Sequence, residues 1–348
     1  MITRDVHPGA WWLWALGMAL LASRTTNALL LGLVIAVCGY VAVCCRRPSP
    51  WSRTFTVFVK IGLATIVVRV LVQAVAGAPV GTHVLFTLPQ AQLPDLFAGV
   101  RLGGRVTGES LASAGLDGLR LLAMLCCFGA ANVATTPSRL VRALPAALYE
   151  AGLVVTVAVS LAPQAIASLR RVAVARRLRG RPTRGVAALR GIALPVLEGA
   201  MEQSLALAAS MDSRGYGRRT ALPRSRRVLT AVSTAVGFVA AGTGAYGLLV
   251  GPRLLGVLAL PAGAALLGLG LVLGGSRSPR TRHRPDRWAA VEWVMAGIGA
   301  ACAAVAVGSG DDPLLLPSNP LDVPGLPVLA MVVVMLAVAP SFLSPGPR

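Results

Sequence analysis

The chain has 348 residues, of which 55% are hydrophobic and 13% charged, with a mean hydropathy of +0.71. A water-soluble domain carries about a quarter charged residues, so this composition excludes one and indicates an integral membrane protein. The net charge of +20 rests on 33 basic residues, all Arg except Lys60; they fall between apolar runs, which marks them as basic membrane loops and not a nucleic-acid surface.

Trp11 to Ala22 is the first apolar run, extendable into Gly9 and Ala10, and Ala28 to Cys44 is the second. Arg4 with the run ending at Ala22-Ser23 has the outline of a signal peptide. The second run begins so soon that a retained hairpin about Arg24-Thr25-Thr26-Asn27 is predicted instead. The third span is Phe55 to Ala76, behind the basic cluster Arg46, Arg47 and Arg53. Gly77 to Ala114, with Pro79, Pro89, Pro94, Gly103 and Gly104, is too polar to span and reads as an extracytoplasmic, partly interfacial linker. A fourth span, Leu116 to Ala134, leads to Thr135-Thr136-Pro137-Ser138-Arg139, where Thr136 or Ser138 is placed to cap a short basic helix.

Leu148 to Leu169 is long enough to span. A crossing would carry the Arg-rich stretch behind it outside, so a helix lying against the inner face is expected. Arg170, Arg171, Arg176, Arg177 and Arg179 surround its end, which must therefore leave the apolar phase. A turn at Gly180-Arg181-Pro182-Thr183-Arg184-Gly185 precedes a helix over Val186 to Ser213. There Leu194, Leu197, Met201, Leu205 and Ala208 form one stripe and Glu198, Glu202 and Gln203 lie elsewhere, the pattern of a surface helix. It stops at Gly215, suited to a left-handed cap. Beyond the basic run Arg218 to Arg227 come four further spans: Val228 to Val250, Leu254 to Leu273, Trp288 to Gly308 and Leu326 to Leu343. Of the last two loops, Arg277 to Arg287 is Arg-rich and Gly310 to Gly325 has no Arg. Alternation then places the great majority of the basic residues on one side, with Lys60, Arg69 and Arg120 inside spans, and that side is the cytoplasm.

Little in the chain resembles reaction chemistry. A Walker A loop needs glycines leading into Lys and a hydroxyl, whereas Lys60 follows Phe55-Thr56-Val57-Phe58-Val59. His7, His83 and His283 are scattered without metal-site spacing. The six cysteines, Cys38, Cys44, Cys45, Cys126, Cys127 and Cys302, lie in or beside apolar runs and read as small apolar membrane residues. Gly268 and Gly270 have no preceding strand, so a dinucleotide fingerprint is excluded; Gly270 and Gly274 read as a small-residue packing face. Arg69, deep in a span, calls for a partner inside the protein, a snorkelling route or a function. Glu292 sits near a helix end.

Two punctuations remain: Leu178-Arg179-Gly180, preceded by Ala175-Arg176-Arg177, and Ser213-Arg214-Gly215, preceded by Met211-Asp212 and followed by Tyr216. In these the chain resembles the transmembrane T component of energy-coupling factor (ECF) transporters, the family that includes the cobalt-transport permease. Members carry two short Ala-Arg-Gly-like motifs at the ends of two long cytoplasmic coupling helices. Val6-His7-Pro8, Gly104 to Leu121 with Thr107-Gly108-Glu109, and Thr135 to Leu140 are also similar to family segments. The resemblance spans about Val6 to Val250; Leu178 and Ser213 stand where the family has Ala.

The resemblance implies an all-α polytopic membrane bundle with long cytoplasmic coupling helices. Its expected parts are an N-terminal transmembrane region (1–134), a coupling region (135–227), a core transmembrane helix (228–250) and a C-terminal transmembrane extension (251–348). It implies a non-catalytic subunit of the cell membrane, with its N-terminus and coupling helices in the cytoplasm and no cofactor or metal of its own. Leu178, Arg179, Gly180, Ser213, Arg214 and Gly215, supported by Arg176 and Arg177, would contact two ATPase subunits or domains. A separate small membrane S component would bind the vitamin or transition-metal ion. A conventional ABC permease binding its own substrate is the alternative; it needs a polar pore lining that these spans scarcely offer. An intramembrane enzyme would need a paired acid and base or a metal set.

Overall fold

The computed structural model describes residues 6–45, 54–76, 81–92, 101–135, 139–140, 143, 149–180, 185–215, 223–249, 252–275, 288–308, 314–315, 321 and 325–343. The described chain is mostly helical: α1 Pro8–Ser23, α2 Ala28–Cys44, α3 Thr54–Ala76, β1 Val84–Gln92, β2 Arg101–Thr107, α4 Gly108–Ala134, α5 Tyr149–Leu178, α6 Val186–Ser213, α7 Arg224–Leu249, α8 Arg253–Gly275, α9 Ala290–Gly308, α10 Val328–Leu336 and α11 Pro340–Leu343. Six helices among the described residues are long and apolar enough to cross a membrane: α3, α4, α9 and most of α5, α7 and α8. The expected caps at Thr136 and Ser138, the basic cluster Arg46, Arg47 and Arg53, His283, Tyr216 and the loop Arg277 to Arg287 lie outside the described residues.

The all-α expectation needs one correction. Within the stretch expected to be a linker, β1 and β2 pair as an antiparallel hairpin, and α4 starts at Gly108, not near Leu116. Pro89 hides the first strand from a sequence reading because proline removes a ladder donor. Here it falls in the register shift between Leu88 and Ala91, where a bulge tolerates it. Gly103 and Gly104, with φ of 85° and 123°, take conformations in the opposite strand that other residues rarely adopt.

The described chain forms two compact units, Met1–Leu140 with Pro285–Arg348, and Val141–Arg284. This grouping differs from the segments expected from the sequence. The helices α9 to α11 of the C-terminal extension belong with α1 to α4, and α8 belongs with α7. In the first unit α1 is apolar all round and mostly buried, with Trp11, Trp14, Met18 and Leu21 at 2% exposure or less, while Leu13 and Leu16 on one side are exposed. Gly17 lets α9 close on it: a Cβ there would lie 2.0 Å from the Gly299 carbonyl oxygen. Pro340 breaks the last helix, and the Ala337 carbonyl accepts the Trp14 indole N–H at 3.2 Å. In the second unit α7 and α8 meet through glycines. A Cβ on Gly270 would lie 2.5 Å from Thr234 Cγ2, in keeping with the packing role read from the sequence.

Contacts at the two ends of the first unit show which loops share a side. At one end Glu292 accepts from the Ala289 N–H at 2.9 Å and the His7 N–H at 3.3 Å, so this carboxylate caps its own helix and holds the start of α1. At the other end Asn27 caps α2 by accepting from the Leu29 and Leu30 N–H groups at 3.0 and 3.2 Å. Its amide donates to the Leu314 and Gly325 carbonyls, both at 2.8 Å, and Thr25 Oγ1 donates to Leu315 O at 2.8 Å. The 24–27 turn, Leu314, Leu315 and Gly325 therefore lie on one side, and residues 7 and 288–292 lie on the other.

Arg69 has its partner inside the protein: its Nη2 lies 2.6 Å from Asp117 Oδ2. Arg120, one turn further along α4, donates to the Ser23 carbonyl at the end of α1. Both arginines thus lie near the level of the 24–27 turn. Each is partnered inside the protein, which removes most of the insertion cost that an unpaired Arg would carry.

Candidate functional site

The predicted site residues all lie in the second unit, at the ends of α5 and α6. The apolar run Leu148 to Leu169 and the basic stretch after it belong to one 30-residue helix from Tyr149 to Leu178, with Pro163 inside it. Its Val154–Leu178 part qualifies by length and composition as a crossing helix and is the least apolar of the six. Helix α6 runs 28 residues with Pro195 inside. Leu194, Leu197, Met201 and Leu205 of the expected stripe are all exposed, and so are Glu198, Glu202 and Gln203.

The two helices end in the same way. At the end of α5 the Arg179 N–H bonds to the Ala175 and Arg176 carbonyls at 3.2 and 3.1 Å, and the Gly180 N–H to Arg177 O at 3.1 Å. At the end of α6 the Arg214 N–H bonds to Met211 O at 3.2 Å and the Gly215 N–H to Asp212 O at 2.8 Å. Bonds to the third residue back tighten a last turn. Each ends in a left-handed glycine, φ 67° at Gly180 and 73° at Gly215, the conformation that lets a chain leave a helix sharply. Leu178 is 83% exposed; Arg177, Arg179, Ser213 and Arg214 are exposed as well. Ser213 donates to the Ser210 carbonyl at 2.9 Å. Each guanidinium thus stands at the negative end of a helix dipole, where a cation is favoured, with its fork of donors open to a partner.

Arg176 does not share this exposure. It lies across Gly191 of α6, where a Cβ would come within 2.0 Å of Nη1, and its Nε is buried without a hydrogen-bond partner. Near the other end of the pair, Gln203 donates to Gln164. Moving forward along α5 from Gln164 to Arg176 goes backward along α6 from Gln203 to Gly191, so the two helices run antiparallel. The Arg-Gly ends therefore sit at opposite ends of the pair. From the level of Arg179 to Arg214 about 26 residues of α6 intervene, on the order of 40 Å at 1.5 Å per residue.

The structure thus gives the six motif residues two matching helix ends and does not bring them together. Sequence reasoning missed the Arg176–Gly191 contact; Gly191, within an otherwise regular helix, was its one signal. It named Glu109 only within a family-like segment and missed its bonds: the carboxylate accepts from the Thr82 N–H at 3.2 Å and the His83 N–H at 3.2 and 3.3 Å and so fixes the turn before β1. No family model matches this chain, and no curated protein is similar to it.

Proposed function

We propose that the chain is the energy-coupling transmembrane subunit of an ECF-type importer. It links ATP hydrolysis by partner ATPases to uptake of a vitamin or transition-metal ion held by a separate membrane subunit. The observation that carries this reading is the pair of equivalent helix ends, each an exposed Arg followed by a left-handed Gly. They are held on the order of 40 Å apart by one antiparallel helix pair.

Two narrow, cationic helix tips at that separation suit two ATPase subunits, one for each tip. Arg179 and Arg214 supply planar forks for carboxylates or carbonyls in the partner's groove, and Gly180 and Gly215 turn the following chain away so that the tip can enter. Closure of two ATPases on nucleotide would shift the two tips relative to one another. A long helix pair, joined by Gln164–Gln203 and by Arg176 against Gly191, is the element that would carry the movement to the substrate-binding subunit. In this reading the Arg-rich face, the N-terminus and the His7–Glu292 end of the first unit are cytoplasmic, and the 24–27 turn is extracytoplasmic.

The test is a set of charge reversals. Losing one hydrogen-bonded charge at an interface costs about 2–5 kcal/mol. Arg179→Glu and Arg214→Glu should therefore each weaken ATPase co-purification while membrane levels stay normal, and the double variant should abolish both co-purification and uptake. Undiminished uptake in the double variant removes the mechanism.

A further inference from the structure

The first unit carries an apolar groove of about 490 Å³ between α1 and α9, lined on α1 by Leu13, Leu16 and Leu20 and on α9 by Trp293, Gly297 and Ala300. It is open on its outer face. Beyond Trp293 the α9 wall is made of glycines and alanines, and a Cβ added to Gly297 would meet nothing within 4 Å, so the space is not filled by neighbouring side chains. The proposed function makes no use of it.

What covers this groove is indicated by the residue at its end. At 100° per residue, Leu13, Leu16, Gly17 and Leu20 fall on one stripe of α1, and the next position on that stripe is Arg24. Arg24 is the cap of α1, half-buried, and its guanidinium has no carboxylate or hydrogen-bond acceptor among the described residues. Beside it the charge is mainly positive: Arg120 donates to the carbonyl of Ser23, the preceding residue, and Arg69 lies one helical turn away on Asp117. From Arg24 back to Leu13 the helix rises about 17 Å, close to the ~15 Å half-thickness of a bilayer's hydrocarbon core.

We infer that the α1–α9 groove holds one acyl chain of an anionic phospholipid whose phosphate sits on Arg24. The groove is apolar, runs about 15 Å along α9 from Trp293 to Ala303, the depth of one leaflet, and has a cation about one turn beyond Leu20, its last lining residue on α1. Those are the two halves of a phospholipid in their proper order. A helix from a partner protein would fill the groove without using the unpaired guanidinium.

The test is native mass spectrometry of the full chain, released from micelles containing equimolar phosphatidylglycerol and phosphatidylcholine. The wild type should retain one phosphatidylglycerol in preference. Arg24→Gln should lower that retention about fivefold, the worth of one Arg near an anionic surface. Gly297→Leu and Ala300→Leu, placed where side chains have room, should each abolish it while melting as the wild type does in lipid-free detergent. Equal retention of the two lipids, or no effect of Arg24→Gln, overturns the proposal. So does continued lipid retention by both groove-filling variants together with loss of a co-purifying membrane protein, which would assign the groove to a partner's helix.

Discussion

Asn27 is the position where a one-atom change should tell most about how the first unit is held. Its buried side chain makes four hydrogen bonds: two cap α2, and two satisfy the carbonyls of Leu314 and Gly325. Asn27→Ala removes a cap worth about 1 kcal/mol and strips both carbonyls of their donor, which in a dry site costs about 1–3 kcal/mol each. Hydrogen bonds in membrane proteins measure nearer to ~0.6 kcal/mol, so we take roughly 3 kcal/mol for the whole. For a unit of this size that lowers the melting temperature by roughly 6–12 °C. Asn27→Ser keeps an oxygen for the α2 cap and should lose only the part owed to the carbonyls. Asn27→Asp keeps the cap but sets a carboxylate against two carbonyl oxygens. Its pKa is then raised in the folded state, so its stability should be poorest at neutral pH and recover as pH falls and the acid becomes a donor. Thermal unfolding in detergent, followed by a thiol probe of the buried cysteines, reads all three. An unchanged melting temperature for Asn27→Ala would show that its bonds to Leu314 and Gly325 do not hold the first unit together.

Gly17→Val should prevent α1 and α9 from closing, because its Cβ would lie 2.0 Å from the Gly299 carbonyl oxygen; the expected result is loss of folded protein on size-exclusion chromatography. The Arg69–Asp117 pair is half-exposed, so Arg69→Ala should cost no more than about 1 kcal/mol. The swap Arg69→Asp with Asp117→Arg should restore it in a double-mutant cycle. Gly191→Leu should displace Arg176 and weaken ATPase co-purification without touching either Arg-Gly end. Cysteines placed at Thr26 and Gly325 should react with an impermeant maleimide from the same side of sealed vesicles, and a cysteine placed at Ala289 should react from the opposite side.

The helices were legible because their signals are long and local. Asn27, His7 and the Pro8 that follows it mark helix starts, and Gly180 and Gly215 mark stops. The hairpin at 84–107 was not legible, because Pro89, Gly103 and Gly104 break the alternation by which a strand is read; the bulge that accommodates them exists only once the partner strand is present. Arg69 could be read as needing a partner, but choosing Asp117 required knowing that α3 and α4 face each other at Gly62 and Gly118. The grouping of α9 with α1 was equally hidden. It rests on Gly17 against Gly299 and on the reach of Glu292 to His7, pairs separated by nearly the whole chain. In the candidate site the two Arg-Gly ends could be named from residue types alone. Their separation could not, since it depends on the antiparallel register set by Gln164–Gln203 and Arg176–Gly191.

On the proposed function, this chain delivers the work of partner ATPases through its two helix tips. The most direct measurement is ATP hydrolysis in complexes purified from native membranes on a tag carried by this chain, wild type against Arg179→Glu/Arg214→Glu. The wild type should hydrolyse ATP, in complexes that hold two ATPase subunits or domains per chain, and the double variant should not, at equal recovery of the tagged protein. Equal hydrolysis in both, or a wild-type complex with no ATPase in it, would contradict the account.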